Sequence, residues 1–307
     1  MRVATIDIGT NTVLLLVAET GEGGELVPVE EHATITRLGE GVDRTRTLAP
    51  AAVERTNACL DRYAAIVERQ GAERVAVVGT SAMRDAGGGE AVRAHVMARF
   101  GVESRTISGD EEARLTFAGA MSGLPGRSAP GEVVVFDIGG GSTEVVRGER
   151  STGAVAYAQS FDVGSVRLTE RHVRSDPPTP EETAAVLEAA RATFATLPPL
   201  QLAAPPIGIA GTMTTLAAVS LGMREYDAPR VHGLTLPIAE IERVVDRLAA
   251  LPLDARRGVP GLEPKRADVI VAGGLVALAF LRGVRADAVT ISDRGVRWGL
   301  AEELARG

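Results

Sequence analysis

The sequence predicts an α/β protein built as two domains by an internal duplication, and three observations carry that reading. The apolar run Val133 to Phe136 reads as a buried strand, and it leads through Asp137-Ile138-Gly139-Gly140-Gly141-Ser142 into a second apolar run at Val145. The stretch from Val3 to Val17 repeats this plan, with Asp7 aligned on Asp137 and Gly9 on Gly139, 130 positions earlier. A chain of 307 residues is long enough for each half to bury a core of its own. Two related turns a half-chain apart have their natural meeting place in a cleft between domains.

The turns themselves suggest chemistry. Glycine permits close approach of a ligand, and successive backbone N–H groups in such a turn converge on one point and hold an anion. Asp137 at the strand end and Glu144 just past the turn are tolerable beside an anion when a cation lies between. An isolated copy would fit a plain glycine-rich hairpin equally well. The second copy at Asp7 favours a phosphate-and-metal reading.

Residues 3–9, 13–18 and 25–33 read as three consecutive strands, for which an antiparallel meander is the simplest arrangement. Arg37 to Val42 is a loop without a clear period, in which Arg37 could face the cleft but fits a solvated arginine better. From Ala49 to Gln70, Val53, Leu60, Ala64 and Val67 recur at helical spacing, and Gly71 supplies the stop. Val75 to Val78 is a buried strand entering the small-residue turn Gly79 to Ala86, where hydroxyls, N–H groups and Arg84 are of the kind that contacts phosphate. Arg84 beside Asp85 also fits an ordinary surface pair. A helix over 90–100 and a strand over 102–107 follow. Ser108 and Glu111 have the spacing of a capping box, which gives Glu111 a structural task. Glu112 has no such task, although a carboxylate in a first helical turn also answers the helix dipole.

Pro125 to Gly131 reads as the linker, so the expected domains are residues 1–124 and 125–307, with the last helix packing back on the first domain. The second half repeats the order: strands around 133–136 and 154–160, helices over 165–173 and 181–194, then a strand at 207–210 entering Gly211-Thr212-Met213-Thr214-Thr215, a small-residue turn that opens a helix. Helices near 238–248, 266–281 and 294–304 and a strand at 288–291 complete the chain. Gly273-Gly274 inside an apolar helix indicates close helix packing.

Composition narrows the partners. With 45% hydrophobic and 24% charged residues, the chain is an ordinary globular protein. A net charge of −7 argues against a general nucleic-acid surface, so a polyanionic substrate has to be held by a local site. Lys265 is the one lysine among 33 basic residues. The single cysteine, Cys59, excludes an intrachain disulfide, and its helical setting makes it a core residue. His32, His95, His172 and His232 lack metal-binding spacing. No apolar run reaches membrane-spanning length, and the N-terminal strand with Asp7 fits neither a signal peptide nor an anchor, so a cytoplasmic protein without membrane partners is expected.

Five stretches in one order resemble the exopolyphosphatase and guanosine pentaphosphate phosphatase (Ppx/GppA) family over essentially the whole chain. They are Asp7 to Thr12, Thr80 to Ala86, Ile107 to Leu115, Asp137 to Glu144 and Gly211 to Thr215. The third and fourth are the specific ones, since paired glycine turns alone would fit any relative of actin or the sugar kinases. The resemblance implies two actin-like, ribonuclease H-like α/β domains closing on an interdomain cleft, in the short form without a C-terminal helical domain, and a homodimer. It also implies Glu112 as catalytic base, and Asp7, Asp137 and Glu144 holding or orienting magnesium (Mg2+) and water. The phosphate path would be lined by Asn11, Arg84, Gly139, Gly140, Gly141, Ser142, Gly211 and Thr212. Magnesium keeps several waters, so not all three carboxylates are expected as direct ligands.

The expected reaction is exopolyphosphatase hydrolysis of terminal orthophosphate from inorganic polyphosphate, of short chains. Guanosine pentaphosphate 5′-phosphohydrolase, a noncatalytic alarmone-binding regulator and an ATP-dependent kinase are the alternatives, and the Glu112 stretch argues against the last. Three positions depart from the family pattern: Leu14 where a basic residue is common, Gly88 for an asparagine, and Trp298 where relatives tend to carry glutamate. These departures bear on contacts with the substrate chain.

Overall fold

A strand buried along almost its whole length has to be covered on both faces, and β1 (Arg2–Ile8) is such a strand, with Val3 through Ile8 all buried. The computed structural model describes residues 1–22, 25–124, 126, 129–200 and 202–306. The chain divides into two compact units, residues 1–119 together with 296–307, and residues 120–295.

In the first unit β1 is followed by β2 (Thr12–Thr20), β3 (Leu26–Ile35), α1 (Val42–Thr45), α2 (Pro50–Gln70), β4 (Arg74–Gly79), α3 (Ser81–Asp85), α4 (Glu90–Phe100), β5 (Ser104–Thr106) and α5 (Gly109–Met121). The described strands form one sheet in the order β3-β2-β1-β4-β5, antiparallel through the first three and parallel from β1 to β5. The meander is therefore present as expected. Side chains alternate along β1. Ala4, Ile6 and Ile8 join the core formed with Cys59, Leu60, Tyr63 and Val67 of α2. Val3 and Thr5 face the C-terminal helix (Val296–Arg306), where Val3 packs with Trp298 and Ala301 and Thr5 Oγ1 donates to the Arg297 carbonyl at 2.8 Å. Pro50 opens α2, and Gly71 closes it with φ 62°.

The second unit contains β6 (Glu132–Ile138), β7 (Thr143–Glu149), β8 (Val155–Phe161), α6 (Ser165–His172), α7 (Pro180–Phe194), β9 (Ile207–Ile209), α8 (Ala210–Ser220), α9 (Ala228–Val231), β10 (Thr235–Pro237), α10 (Ile238–Ala249), α11 (Leu253–Arg257), α12 (Ile270–Gly283) and β11 (Ala288–Ile291). Its sheet order is β10-β11-β9-β6-β7-β8. Without the edge strand β10, this is the order of the first unit, with the same strand directions. The duplication read from two turns thus extends to whole sheets. α12 is buried nearly all round; Gly273 lies against Thr212 and Ser165, and Gly274 against Val245, so the glycine pair does serve close packing. Phe136, Phe161, Phe194 and Phe280 stack between sheet and helices, with ring centroids 4.4 to 5.6 Å apart.

Two expectations change. The two units divide between Gly119 and Ala120, inside α5, ahead of the 124/125 position read from the linker. Part of the expected linker, Pro125, Arg127 and Ser128, lies outside the described residues. Trp298, read as a departure near the substrate chain, is 1% exposed and packs on Val3, Leu16 and Ala18. Among the described residues no helix is long and apolar enough to cross a membrane.

Trp298→Ala is accordingly expected to lower unfolding free energy by about 3–5 kcal/mol through the cavity it leaves in the first unit. Urea denaturation followed by circular dichroism measures this. A loss under about 1 kcal/mol would show that the C-terminal helix does not depend on this contact.

Candidate active site

In the first unit the turn after β1 closes with the Gly9 N–H donating to the Thr12 carbonyl at 3.1 Å. The segment after β3 holds it from behind: Thr36 and Arg37 N–H groups both donate to the Asn11 carbonyl at 3.0 Å, and the Gly39 N–H to the Thr10 carbonyl at 2.9 Å. Gly39 is glycine because a Cβ there would run into the Thr10 side chain. The loop read as featureless, with a solvated Arg37, is thus the clamp on the turn, and Arg37 is half-buried in the left-handed region at φ 54°. Asp7 and Asn11 are each 8% exposed. Asn11 Oδ1 is buried with no donor among the described residues.

Parallel pairing sets Asp7 beside Val78, so β4 delivers Thr80 and α3 to the same end of the sheet. There the Thr80 N–H donates to the Ile8 carbonyl, and the Thr10 and Ser81 hydroxyls lie 3.0 Å apart. Arg84 on α3 reaches α5. Its Nη1 is 3.0 Å from Glu112 Oε2 and donates to the Ile107 carbonyl at 3.2 Å, while its Nε lies 3.6 Å from Asp85. Glu112 is 7% exposed. The residue read as a phosphate contact therefore holds the residue read as the base.

Successive residues on a helix point about 100° apart, and the two glutamates separate accordingly. The Glu111 N–H donates to Ser108 Oγ at 3.1 Å, but the Glu111 carboxylate takes Arg105 at 2.8 Å, so one half of the expected capping box forms. A reciprocal box is found instead at Thr179 and Glu182, at the start of α7.

In the second unit the ladder sets Asp137 directly opposite Glu144, so both carboxylates leave the same face of the sheet. At the equivalent place in the first unit Asp7 faces Leu14, which leaves one carboxylate there. Glu144 is 1% exposed and accepts a bond from Ser160 Oγ at 2.6 Å. The turn closes with the Gly139 N–H donating to the Ser142 carbonyl at 3.0 Å. Behind it, Gly139 and Gly140 carbonyls accept from the N–H groups of Ser165, Val166 and Arg167 at the start of α6, and the Gly141 carbonyl accepts from Arg167 Nε at 2.6 Å. No acceptor among the described residues takes the N–H of Gly140, Gly141 or Ser142. That is the donor set of an anion cradle.

Thr212 spends its hydroxyl on the Ile138 carbonyl at 3.2 Å, which ties α8 to the end of β6. Gly211 follows Ala210, whose φ is 65°, and the Arg266 guanidinium lies where a Gly211 Cβ would be. Burial pushes that guanidinium down from its ordinary value. Arg167, Ser160 and Arg266 escaped the sequence reading. Each is an ordinary polar residue within a helix, strand or turn, and nothing local marks its distant partner.

For magnesium, two carboxylates on one face of β6 and β7 are a hard-oxygen pair of the kind the ion takes, its remaining positions filled by water. Among the described residues no group of three His, Cys, Asp or Glu side chains is placed to hold an ion. Asp137 and Glu144 fit a two-carboxylate site of this kind.

The sequence model of the Ppx/GppA phosphatase family matches residues 16–306. A Mycobacterium tuberculosis protein named Exopolyphosphatase 2 is 41% identical over 320 residues, spanning 99% of this chain and 98% of its own. A crystal structure described as an exopolyphosphatase-like protein superposes with a TM-score of 0.92 at 31% identity, covering 100% of this chain and 99% of the other. The PPX-GPPA enzyme of Aquifex aeolicus superposes with a TM-score of 0.82 at 33% identity, covering 99% of each chain.

The Arg84–Glu112 pair makes a measurable statement. Arg84→Gln takes the guanidinium from a carboxylate that is 7% exposed and is expected to cost about 2 kcal/mol of stability, most of it recovered in Arg84→Gln/Glu112→Gln. Strictly additive losses in a double-mutant cycle would mean the pair is not coupled.

Proposed function

The chain belongs to the Ppx/GppA phosphatase family, has the actin-like two-domain fold and is a hydrolase; we propose that it removes terminal orthophosphate from inorganic polyphosphate, with Glu112 as general base. The observation that carries this reading is the turn 139–142. Its three N–H groups, with no acceptor among the described residues, suit a phosphate oxygen better than any neutral ligand. The likeness to a protein named Exopolyphosphatase 2 supports the choice of substrate.

Water is a weak nucleophile at neutral pH, so the reaction needs a base and a place for charge to gather. Glu112, at ion-pair distance from Arg84, is held in one orientation. It accepts a proton from the attacking water as the new P–O bond forms and the anhydride P–O bond breaks, and the shortened polyphosphate leaves with the bridging oxygen. The N–H groups of Gly140, Gly141 and Ser142 take the charge on the transferred phosphoryl oxygens. Magnesium, held by Asp137 and Glu144, would supply further neutralisation of phosphate charge. Arg84 positions the base here, and Thr212 positions the turn from α8.

Phosphate release is to be measured side by side from short polyphosphate, long polyphosphate and guanosine pentaphosphate, on equal concentrations of chain ends. Short polyphosphate is expected to be the best substrate; faster release from guanosine pentaphosphate would overturn the assignment. Glu112→Gln is expected to lower kcat by about 10²- to 10⁴-fold with folding intact, and Glu111→Gln to change it little. Equal losses in the two would remove Glu112 as base. Chelation should stop release and magnesium restore it, with Asp137→Asn and Glu144→Gln each needing more magnesium for half-maximal rate. Full activity in chelator would refute the metal role.

A further inference from the structure

We propose that Arg167 is a positioning residue for phosphate release, the side chain that sets the Ser142 N–H of the cradle; this rests on the reading of the turn 139–142 as a phosphate site. In a planar trans peptide the C=O of one residue and the N–H of the next point in opposite directions. Holding a carbonyl from behind therefore aims the following N–H forward. The Gly139 carbonyl, held by Ser165 N–H at 3.0 Å and Ser165 Oγ at 3.2 Å, aims the Gly140 N–H. The Gly140 carbonyl, held by Val166 and Arg167 N–H groups at 2.9 and 3.1 Å, aims the Gly141 N–H. The Gly141 carbonyl, held by Arg167 Nε at 2.6 Å, aims the Ser142 N–H.

The first two planes are pinned by the backbone of α6. The third depends on a side chain, and among the described residues no other donor reaches that carbonyl. Glycine at 141 gives its peptide the widest freedom to rotate, so the orientation has to be imposed. Arg167 is 7% exposed, which is a costly place for a guanidinium unless its N–H groups are used. The first unit makes the contrast: the carbonyl equivalent to that of Gly141 belongs to Asn11 and is held by two backbone N–H groups, those of Thr36 and Arg37. Arg167 performs with a side chain what the first unit does with main chain.

Gly164 supports the same arrangement. Its backbone is extended, at φ −156° and ψ 168°, so any residue satisfies its conformation. A Cβ there would nevertheless stand 2.5 Å from the Gly140 carbonyl oxygen. Glycine is needed for the approach of α6 to the turn.

The test uses the full chain with Arg167→Ala, Arg167→Gln and Arg167→Lys, reading kcat and KM for polyphosphate ends together with Tm. Losing one preorganised donor of this kind costs about 10²- to 10³-fold in kcat, and Arg167→Ala is expected to fall by about that factor with KM changed little. Arg167→Gln, whose amide also donates, should recover part of the loss, and added guanidine should restore part of the alanine variant's rate. A kcat for Arg167→Ala within threefold of the parent overturns the proposal, whatever Tm does. So does a loss that guanidine and Arg167→Gln both fail to relieve. If the alanine variant does not fold, Arg167→Met, which fills similar space and donates nothing, takes its place, and a kcat within threefold of the parent overturns the proposal. Glu112→Gln run alongside separates the two levels: if it stops release while Arg167→Ala is unaffected, Arg167 has no positioning role and the phosphatase reading stands. Release that survives Glu112→Gln, or a parent protein that releases no phosphate from polyphosphate, removes the reading and the proposal with it.

Discussion

Three peptide planes between β6 and β7 constrain the second unit more than any other feature. Their carbonyls are bonded to α6, so their N–H groups face the other way and lend that end of the sheet positive character. Negative charge alongside is then both a liability and a use. Asp137 and Glu144 leave the same face of the ladder beside the turn, and Glu144 accepts a bond from Ser160 Oγ.

That constraint propagates into the packing. α6 has to approach the turn closely, which requires glycine at 164, and α12 has to approach both α6 and α8, which requires glycine at 273, where a Cβ would stand 2.9 Å from Thr212 and 3.2 Å from Ser165. Glycine inside a helix costs roughly 1 kcal/mol relative to alanine. The burial of α12, whose Phe280 packs on Phe136 and Phe194, among its aliphatic neighbours outweighs that several times over, at about 25 cal/mol per Å² of apolar surface. The apolar core and the polar turn are thus one construction.

The two units share topology and differ in chemistry. The equivalent turns close with the same bond, Gly9 N–H to Thr12 and Gly139 N–H to Ser142, and in both a later segment holds the turn from behind. Where the second unit sets glutamate opposite the aspartate, the first sets Leu14. The first unit instead brings a carboxylate from α5 and an arginine from α3 into contact, so its charged group is assembled by tertiary packing and not by strand register. Duplication kept the backbone device and left side chains to specialise.

By itself the sequence determined the duplication, the strand-turn-strand units at Asp7 and Asp137, the course of most helices and strands, and the prominence of Glu112. These are local matters of periodicity, glycine placement and helix ends, and they can be read over a dozen residues. The tertiary structure alone decided that Arg84 holds Glu112 across 28 positions of sequence and that Arg167 holds Gly141 across 26. It also decided that Trp298 is core, that the two units divide inside α5, and that the three-residue strand β10 forms at all. An arginine looks the same in sequence whether it meets solvent, a carboxylate or a buried carbonyl. Its partner is chosen when strands and helices distant in sequence pack together, and in a short strand such as Thr235–Pro237 the hydrogen bonds to β11 replace any periodicity of its own.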